Sequence, residues 1–160
     1  MAYLLDTGVL LRLVNMDDPA HSIVETAVQL LIDRGEKLTT SVQNIAEFYN
    51  VATRPAASNG FGLAPTEELL AVRTAISPIC WILHLNRRMF GALQRLLETY
   101  SVQGKQGHDA RLTATMLTWR VSHILTLNER HFVRFVPEGI VPTTPYAIAS
   151  GGAPSEQLPE

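Results

Sequence analysis

The chain contains a single cysteine, Cys80, among its 160 residues. One thiol excludes an internal disulfide and a cluster of metal-bound thiolates, and this composition fits a reducing compartment. A strongly charged surface is also lacking, because the formal net charge is only -2. Nothing in the overall charge attracts a polyanion, so nucleic acid would have to be bound by a local basic patch or through metal ions. We therefore expect a cytoplasmic protein.

Targeting signals are missing from the first residues. No basic region precedes the first apolar run, and Asp6 interrupts that run, so it resembles neither a signal peptide nor a membrane-spanning helix. The length and the 46% hydrophobic content suit one domain with a full core. We predict a single domain over residues 1–146 and, because residues 147–160 are small, polar and proline-bearing, a flexible tail after it.

Several catalytic motifs are incomplete. Asp6-Thr7-Gly8 is the signature of aspartic proteases, but the second such triplet that these enzymes need is absent. A phosphatase with an aspartyl nucleophile would have a second Asp where Gly8 stands. The chain has no HExxH pattern, and its glycine-rich stretches match neither a P-loop nor a dinucleotide loop. The remaining candidates for a functional site are side chains that carry oxygen atoms.

Short apolar runs alternate with stretches of helical spacing. Residues 3–5, "KLTTS", "ISPICWILHL", "HILTL" and residues 140–141 have the character of short buried strands. Helical spacing lies between them, as in Val24, Val28 and Leu31. This alternation predicts an α/β fold, a three-layer α/β/α sandwich around a mostly parallel sheet. Such sheets bind ligands beyond the carboxyl ends of their strands.

Four oxygen-bearing residues recur at informative places. Asp6 follows the first strand, Glu47 lies within a predicted helix, Asp109 opens a later helix, and Asn128 follows a late strand. Carboxylate and amide oxygens without sulfur or a clear histidine partner form the ligand set that Mg²⁺ or Mn²⁺ prefers. We therefore predict a divalent metal site at the carboxyl edge of the sheet.

Four stretches also match a known family in order and spacing. They are "YLLDTGVLLRLVN", "TTSVQNIAEFYNVATRP", "GHDARLTATM" and "HILTLNERHF". From about Ala2 to Val141 the chain resembles the PIN domains, in particular the VapC-like toxins of bacterial and archaeal toxin–antitoxin pairs. Asn128 departs from the pattern, because many members have Asp at this last station. A neutral amide adds no charge, which leaves open whether one or two metal ions bind.

The resemblance implies both an activity and its partners. Asp6, Glu47 and Asp109 would bind Mg²⁺ or Mn²⁺, and with Asn128 they would form the catalytic set of an endoribonuclease that leaves a 5′-phosphate. The implied partners are an RNA substrate, a cognate antitoxin and a second copy of the chain in a homodimer, with no membrane.

Further residues would support this site. Thr7 would steady Asp6 or a coordinated water, and Asn44, three residues before Glu47, would orient that carboxylate. The guanidinium group suits bidentate contacts with phosphate. The candidate phosphate contacts are Arg12, Arg54 and Arg111.

Other functions stay open at this point. The first is a catalytically silent PIN-like module that binds RNA or protein, an alternative favoured by the neutral Asn128. The second is a housekeeping RNA-processing nuclease in place of a toxin. The third is a phosphatase or a nucleotide-binding domain on a similar sheet. Metal-dependent cleavage of RNA would separate the nucleases from the silent module, and activity on small phosphoesters alone would favour the third.

Overall fold

The computed structural model describes residues 1–151. Within them a five-stranded sheet has the order β3-β2-β1-β4-β5, and every neighbouring pair of strands is parallel. The predicted α/β class with a parallel sheet is confirmed, and β1 lies at its centre. The strands are β1 (Ala2–Leu5), β2 (Lys37–Ser41), β3 (Trp81–Leu83), β4 (His123–Leu125) and β5 (Val141–Thr143).

Helices cover both faces of the sheet, as the predicted three layers require. Successive residues of a strand point to opposite faces, so Leu5 packs into one hydrophobic core with α1, α2 and α3, whereas Leu4 packs into a second core with α5 and α6. Over residues 1–151, no helix has both the length and the apolar character that crossing a membrane requires. The helices are α1 (Thr7–Val14), α2 (His21–Asp33), α3 (Val42–Thr53), α4 (Pro65–Ala71), α5 (Met89–Thr99), α6 (Gln106–Trp119) and α7 (Pro145–Ala149).

The predicted start of the tail at residue 147 is wrong. The backbone over Pro145–Ala149 forms α7, whose Thr144 cap accepts a hydrogen bond from the Ala147 amide. Ile148 is 1% exposed and joins the core that contains α2. The small residues around Ile148 gave the segment the composition of a tail. One buried apolar side chain nevertheless packs this short helix against the core. Residues 152–160 of the predicted tail lie outside the described residues.

The first hydrophobic run contains a helix that the sequence did not predict. The backbone leaves β1 at Asp6 and enters α1 at Thr7, with Asp6 as the N-cap. Val9 and Leu10 of α1 are fully buried. An aspartate is a favoured N-cap because its side chain accepts from free amides of the first turn. Asp6 is therefore placed where the central strand ends and a helix begins.

Candidate functional site

The Asp6 carboxylate accepts hydrogen bonds from residues that follow two neighbouring strands, β1 and β4. One carboxylate oxygen, Oδ1, accepts a hydrogen bond from the Thr7 amide at 2.8 Å. The other, Oδ2, accepts from the hydroxyl of Thr126 at 2.7 Å. Thr126 is fully buried and directly follows β4, which pairs with β1. The parallel register therefore brings the two residues together across a separation of 120 positions.

The surroundings of Asp6 oppose its negative charge. Burial raises the pKa of the Asp6 carboxyl, and the charges of Glu47 and Asp109 raise it further. The hydrogen bonds from Thr126 and Thr7 act in the opposite direction without cancelling these effects, so the pKa is raised. Three carboxylates that repel one another at a strand end are an arrangement that a bound cation would relieve.

Glu47 enters the site from α3, which begins immediately after β2. The Ser41 side chain caps this helix by accepting from the Asn44 amide. The Glu47 carboxylate accepts a 2.7 Å hydrogen bond from the Thr7 hydroxyl through Oε2 and a 2.9 Å hydrogen bond from the Gln43 amide through Oε1. Both of its oxygens are therefore oriented before any ligand arrives.

Asn44 acts at a different place from the predicted one. We expected it to orient Glu47 directly, but its side-chain amide donates to the Thr7 hydroxyl at 3.1 Å and to Asp6 Oδ1 at 3.5 Å. Its own Oδ1 accepts from Ser41 at 2.6 Å. Thr7 likewise contacts Asp6 through its backbone amide and directs its hydroxyl to Glu47. Asn44 therefore reaches Glu47 only through Thr7.

Asp109 comes from the other helical layer. It was predicted to open its helix, but α6 begins at Gln106, so Asp109 lies in the first turn. Burial is the main cause that raises the pKa of its carboxyl, and the charge of Glu47 adds to the rise, while His131, Arg134 and His108 lower it. The imidazole of His131 lies beside this carboxylate, with its Nδ1 3.7 Å from Asp109 Oδ1.

A cleft of about 660 Å³ opens between Glu47 and Asp109. Basic side chains surround the two acids, and the Arg134 guanidinium is partly occupied by a 2.7 Å hydrogen bond to Gln106. Within residues 1–151, neither Lys105 nor Arg130 forms a salt bridge. We call this set the basic rim: Lys105, His108, Arg130, His131 and Arg134.

Only one of the three predicted phosphate contacts lies beside the acids. Arg111 lines a smaller depression that shares Glu47 and His108 with the main cleft. Arg12 faces elsewhere, because its Nε lies 3.3 Å from Asp18 and its Nη1 donates to the Gly8 carbonyl. Arg54 is the C-cap residue of α3, at the helix end remote from β2. Arg12 and Arg54 therefore line neither depression. The basic side chains that line the main cleft are those of the basic rim.

Asn128 is not brought into contact with the acids. It is exposed, it precedes a short 3-10 turn over Glu129–His131, and its backbone amide donates to the Thr126 hydroxyl at 3.1 Å. No hydrogen bond of its side chain is present within the described part of the chain. Thr126, two residues earlier, is the residue after β4 that contacts Asp6.

The donor set agrees in kind with a hard divalent cation. Asp6, Glu47 and Asp109 supply carboxylate oxygens, which Mg²⁺ and Mn²⁺ prefer, and their mutual repulsion favours a cation between them. Over residues 1–151, no three His, Cys, Asp or Glu side chains are gathered tightly enough to enclose an ion as they stand. The oxygens of Asp6 and Glu47 are directed to hydroxyl and amide donors instead.

Two hydrogen-bond partners of the acids were missed in the sequence, besides the basic rim. Thr126 was placed inside the predicted strand "HILTL", but β4 ends at Leu125 and leaves Thr126 at the edge of the site. Gln43 lies one helical turn before Glu47, a spacing that puts both side chains on one face. That spacing was the available signal for Gln43, whereas Thr126 required the register of β4 against β1.

Comparison with known families assigns the chain. The model of the PIN domain matches residues 3–136, which span all the strands except β5 and every residue of the site. The chain belongs to the PIN domain family. No curated protein matches this PIN domain in sequence.

Solved structures share the fold of this PIN domain at low sequence identity. A chain of VapBC2 from Rickettsia felis, bound to a promoter DNA fragment, is 14% identical with a TM-score of 0.67, covering 90% of this chain and 98% of that one. VapC20 from Mycobacterium tuberculosis, a toxin that cleaves the sarcin-ricin loop, is 14% identical with a TM-score of 0.61, and 87% and 96% are covered. FitAcB from Neisseria gonorrhoeae is 17% identical with a TM-score of 0.64, and 90% and 98% are covered.

Proposed function

We propose that this PIN domain is a metal-dependent endoribonuclease and the toxin of a toxin–antitoxin pair. The observation that carries the proposal is a cleft lined by Glu47 and Asp109, one from each helical layer, with basic side chains around it. Asp6 adjoins the two acids, because Thr7 links it to Glu47 and the charges of both acids raise its pKa. Acids that repel one another inside a basic rim suit a cation and a phosphate bound together.

The roles of the acids follow from their contacts. Asp6, Glu47 and Asp109 would hold Mg²⁺ or Mn²⁺, which supplies activation of water and neutralisation of phosphate charge. The hydrogen bonds from Thr126 and Thr7 direct the Asp6 carboxylate and favour its charged form, against the burial and repulsion that raise its pKa. Thr7 also fixes the rotation of the Glu47 carboxylate. Asn128 would take a secondary part, since its side chain is exposed and makes no hydrogen bond within the described residues.

RNA binding is the role of the basic rim. Lys105 and Arg130 are exposed and free of salt bridges over the described residues, so a phosphate can contact them without first breaking an ion pair. Arg111 extends the same basic character past Glu47. With a net charge of only -2 in the whole chain, this local patch supplies the attraction that the overall charge does not.

The biological role rests on the similarity to VapC-type proteins. A cytoplasmic toxin of this kind would act on cellular RNA, form a homodimer and be restrained by a cognate antitoxin bound over the acidic cleft. The similarity to R. felis VapBC2 and N. gonorrhoeae FitAcB supports a two-component system of this type.

A silent RNA- or protein-binding module is the second candidate, and one observation favours it. The last station is a neutral, exposed Asn128 that makes no contact with the acids, so the site has one charge fewer than the family pattern. Such a module would bind RNA through the basic rim without cleaving it. A housekeeping nuclease would cleave RNA but would not arrest growth.

Cleavage of labelled single-stranded RNA tests the enzyme. Wild type is compared with Glu47→Gln, which keeps the shape of the side chain but removes its charge, in Mg²⁺, in Mn²⁺ and in EDTA. We expect cleavage only with metal, and at least a 100-fold loss in the variant, because one charged metal ligand is lost. Glu98→Gln, an exposed acid on α5, is the matched control. Equal rates in EDTA and Mn²⁺, or in Glu47→Gln and wild type, would contradict the proposal.

Expression in a bacterial host tests the biological role separately. A toxin should slow growth when it is expressed alone, and Glu47→Gln should relieve this effect at equal protein level. Growth that is unaffected by a folded protein with proven RNA cleavage would favour the housekeeping nuclease.

A further inference from the structure

Gln43 joins the two helical layers across the edge of the sheet. Its side-chain nitrogen donates to Glu47 Oε1 at 2.9 Å and to the backbone carbonyl of His108 at 3.1 Å. Glu47 belongs to α3 on one face, whereas His108 lies in the first turn of α6 on the other, next to Asp109. Over residues 1–151, the hydrogen bond from Gln43 to the His108 carbonyl is the one side-chain hydrogen bond that links a helix of the first layer to a helix of the second.

The chemistry of its neighbours determines which way the Gln43 amide faces. A carboxylate oxygen and a backbone carbonyl oxygen only accept hydrogen bonds. Each therefore requires one of the two protons on Nε2, and the reversed amide would place an oxygen against two other oxygens. The side chain is 7% exposed, so water does not replace these contacts easily.

The orientation that serves Glu47 and His108 leaves a deficit elsewhere. The Gln43 Oε1 atom is buried and has no hydrogen-bond partner among the described residues. A buried, unpaired acceptor destabilises a fold relative to an apolar group of the same shape. Folding alone would thus be served as well or better by methionine at this position. The amide is explained by what it holds in place.

We propose that Gln43 is a positioning residue that couples Glu47 to the first turn of α6, with Asp109, so that both carboxylates can bind one shared metal ion. This inference rests on the proposed metal-dependent function. Residues that orient metal ligands without touching the metal typically contribute 10–100-fold to metal affinity. Because Gln43 contacts both ligand-bearing segments, its loss affects two ligands at once.

Gln43→Met tests the proposal, since it preserves length and apolar volume but removes the donor. We expect the Mn²⁺ concentration for half-maximal thermal stabilisation to rise about 10-fold or more, while the melting temperature in EDTA is unchanged or higher. RNA cleavage should require correspondingly more Mn²⁺ and recover at saturation. In the metal-free protein, backbone amides in the first two turns of α6 should exchange hydrogen faster.

Gln29→Met is the matched control. Gln29 also donates to an acid four residues later, Asp33, at 2.8 Å, but on the exposed face of α2 and without a bond to another helix. It should leave Mn²⁺ binding unchanged.

Three results of the Gln43→Met experiment are distinguishable. Unchanged half-saturation with Mn²⁺ would overturn the positioning role, and so would unfolding or a large loss of stability in EDTA, because either outcome makes Gln43 an ordinary structural residue. Absence of any Mn²⁺ effect in wild type would instead refute the proposed metal-dependent function, on which the inference rests. Faster exchange in α6 together with weaker Mn²⁺ binding supports the inference.

Discussion

Replacing Asp6 with asparagine distinguishes the effect of its charge on the stability of the metal-free protein from its contribution to metal binding. In the metal-free protein the amide Oδ1 can still accept from Thr7, but the nitrogen that replaces Oδ2 cannot accept from Thr126. Losing the hydrogen bond to a charged group costs at most about 1.5–3 kcal/mol, and part of this is offset where the Thr126 hydroxyl turns and accepts from the amide nitrogen. Against this, the variant removes a buried carboxylate that Glu47 and Asp109 repel. We expect the two effects to offset, so that Asp6→Asn is at least as stable as wild type in EDTA.

Metal should reverse this order of stability. A cation that binds only the folded chain adds about 2.7 kcal/mol at 100 times its dissociation constant. A domain of this size gains about 2–4 °C per kcal/mol, so wild type should rise by about 5–11 °C. If Asp6→Asn weakens Mn²⁺ binding about 100-fold, the same Mn²⁺ concentration adds only about 0.4 kcal/mol, or about 1 °C.

The pH dependence of the metal-free protein provides a second measurement. The pKa of Asp6 is raised from its ordinary value of 3.8, so between that value and the folded-state pKa the folded chain binds more protons than the unfolded chain. Stability contributed by this group is therefore lost as pH rises through that window. Asp6→Asn lacks this loss, and its advantage over wild type in EDTA should grow from pH 4 towards pH 7.

Thermal melts over a Mn²⁺ series, in EDTA and at several pH values, measure all three effects. Asp17→Asn, an exposed acid that precedes α2, is the control for loss of one negative charge. If Asp6→Asn and Asp17→Asn gain equally from Mn²⁺, Asp6 does not hold the ion. If Asp6→Asn is several degrees less stable than wild type in EDTA at pH 7, the reasoning about its buried charge is wrong.

Three further substitutions test the rim, the threonine partner and the last helix. The double substitution Lys105→Gln and Arg130→Gln should reduce the slope of log affinity for single-stranded RNA against log salt concentration by about 1.4, because each phosphate contact contributes about 0.7. An unchanged slope in binding titrations would show that these two residues do not contact RNA. Thr126→Val should cost about 1–3 kcal/mol at pH 7 in EDTA and less at pH 4–5, where Asp6 is protonated more often; equal losses in melts at both pH values would show that its hydroxyl does not serve the ionised form. Ile148→Ala should cost about 2–5 kcal/mol in urea unfolding, whereas a loss near zero would mean that α7 contributes nothing to the core.

The order and type of the strands and long helices were accessible from the sequence because each depends on local periodicity. β1, β2, α2 and α3 follow directly from apolar spacing and flanking turn residues. The missed helix α1 begins inside an apolar run whose strand and helix parts have the same composition. Periodicity does not distinguish the two there, and only the N-cap at Asp6 marks the boundary.

The site was accessible to the extent that it depends on strand ends. Asp6 follows β1 directly, and its position at the carboxyl edge of a parallel sheet could be inferred without knowing its neighbours. Thr126, Gln43 and the basic rim depend on the register of β4, on an orientation in α3 and on the approach of α6 to the turn after β4. These are contacts between residues far apart in the chain. The local sequence around Arg12 and Arg54 therefore could not show that both lie away from the cleft.

The hydrogen bond between Asp6 and Thr126 also bears on how the protein is synthesised. The central strand β1 is synthesised before the other four strands, but the partner of Asp6, the residue after it, follows 120 residues later. At about 5–20 residues per second, roughly 6–24 s of elongation separate the two. Within this interval Glu47 is added well before Asp109, and β4 and Thr126 follow Asp109. A nascent or prematurely terminated chain that lacks α6 and β4 therefore carries only part of the site, and its three acids and Thr126 are all present only after β4 has been synthesised.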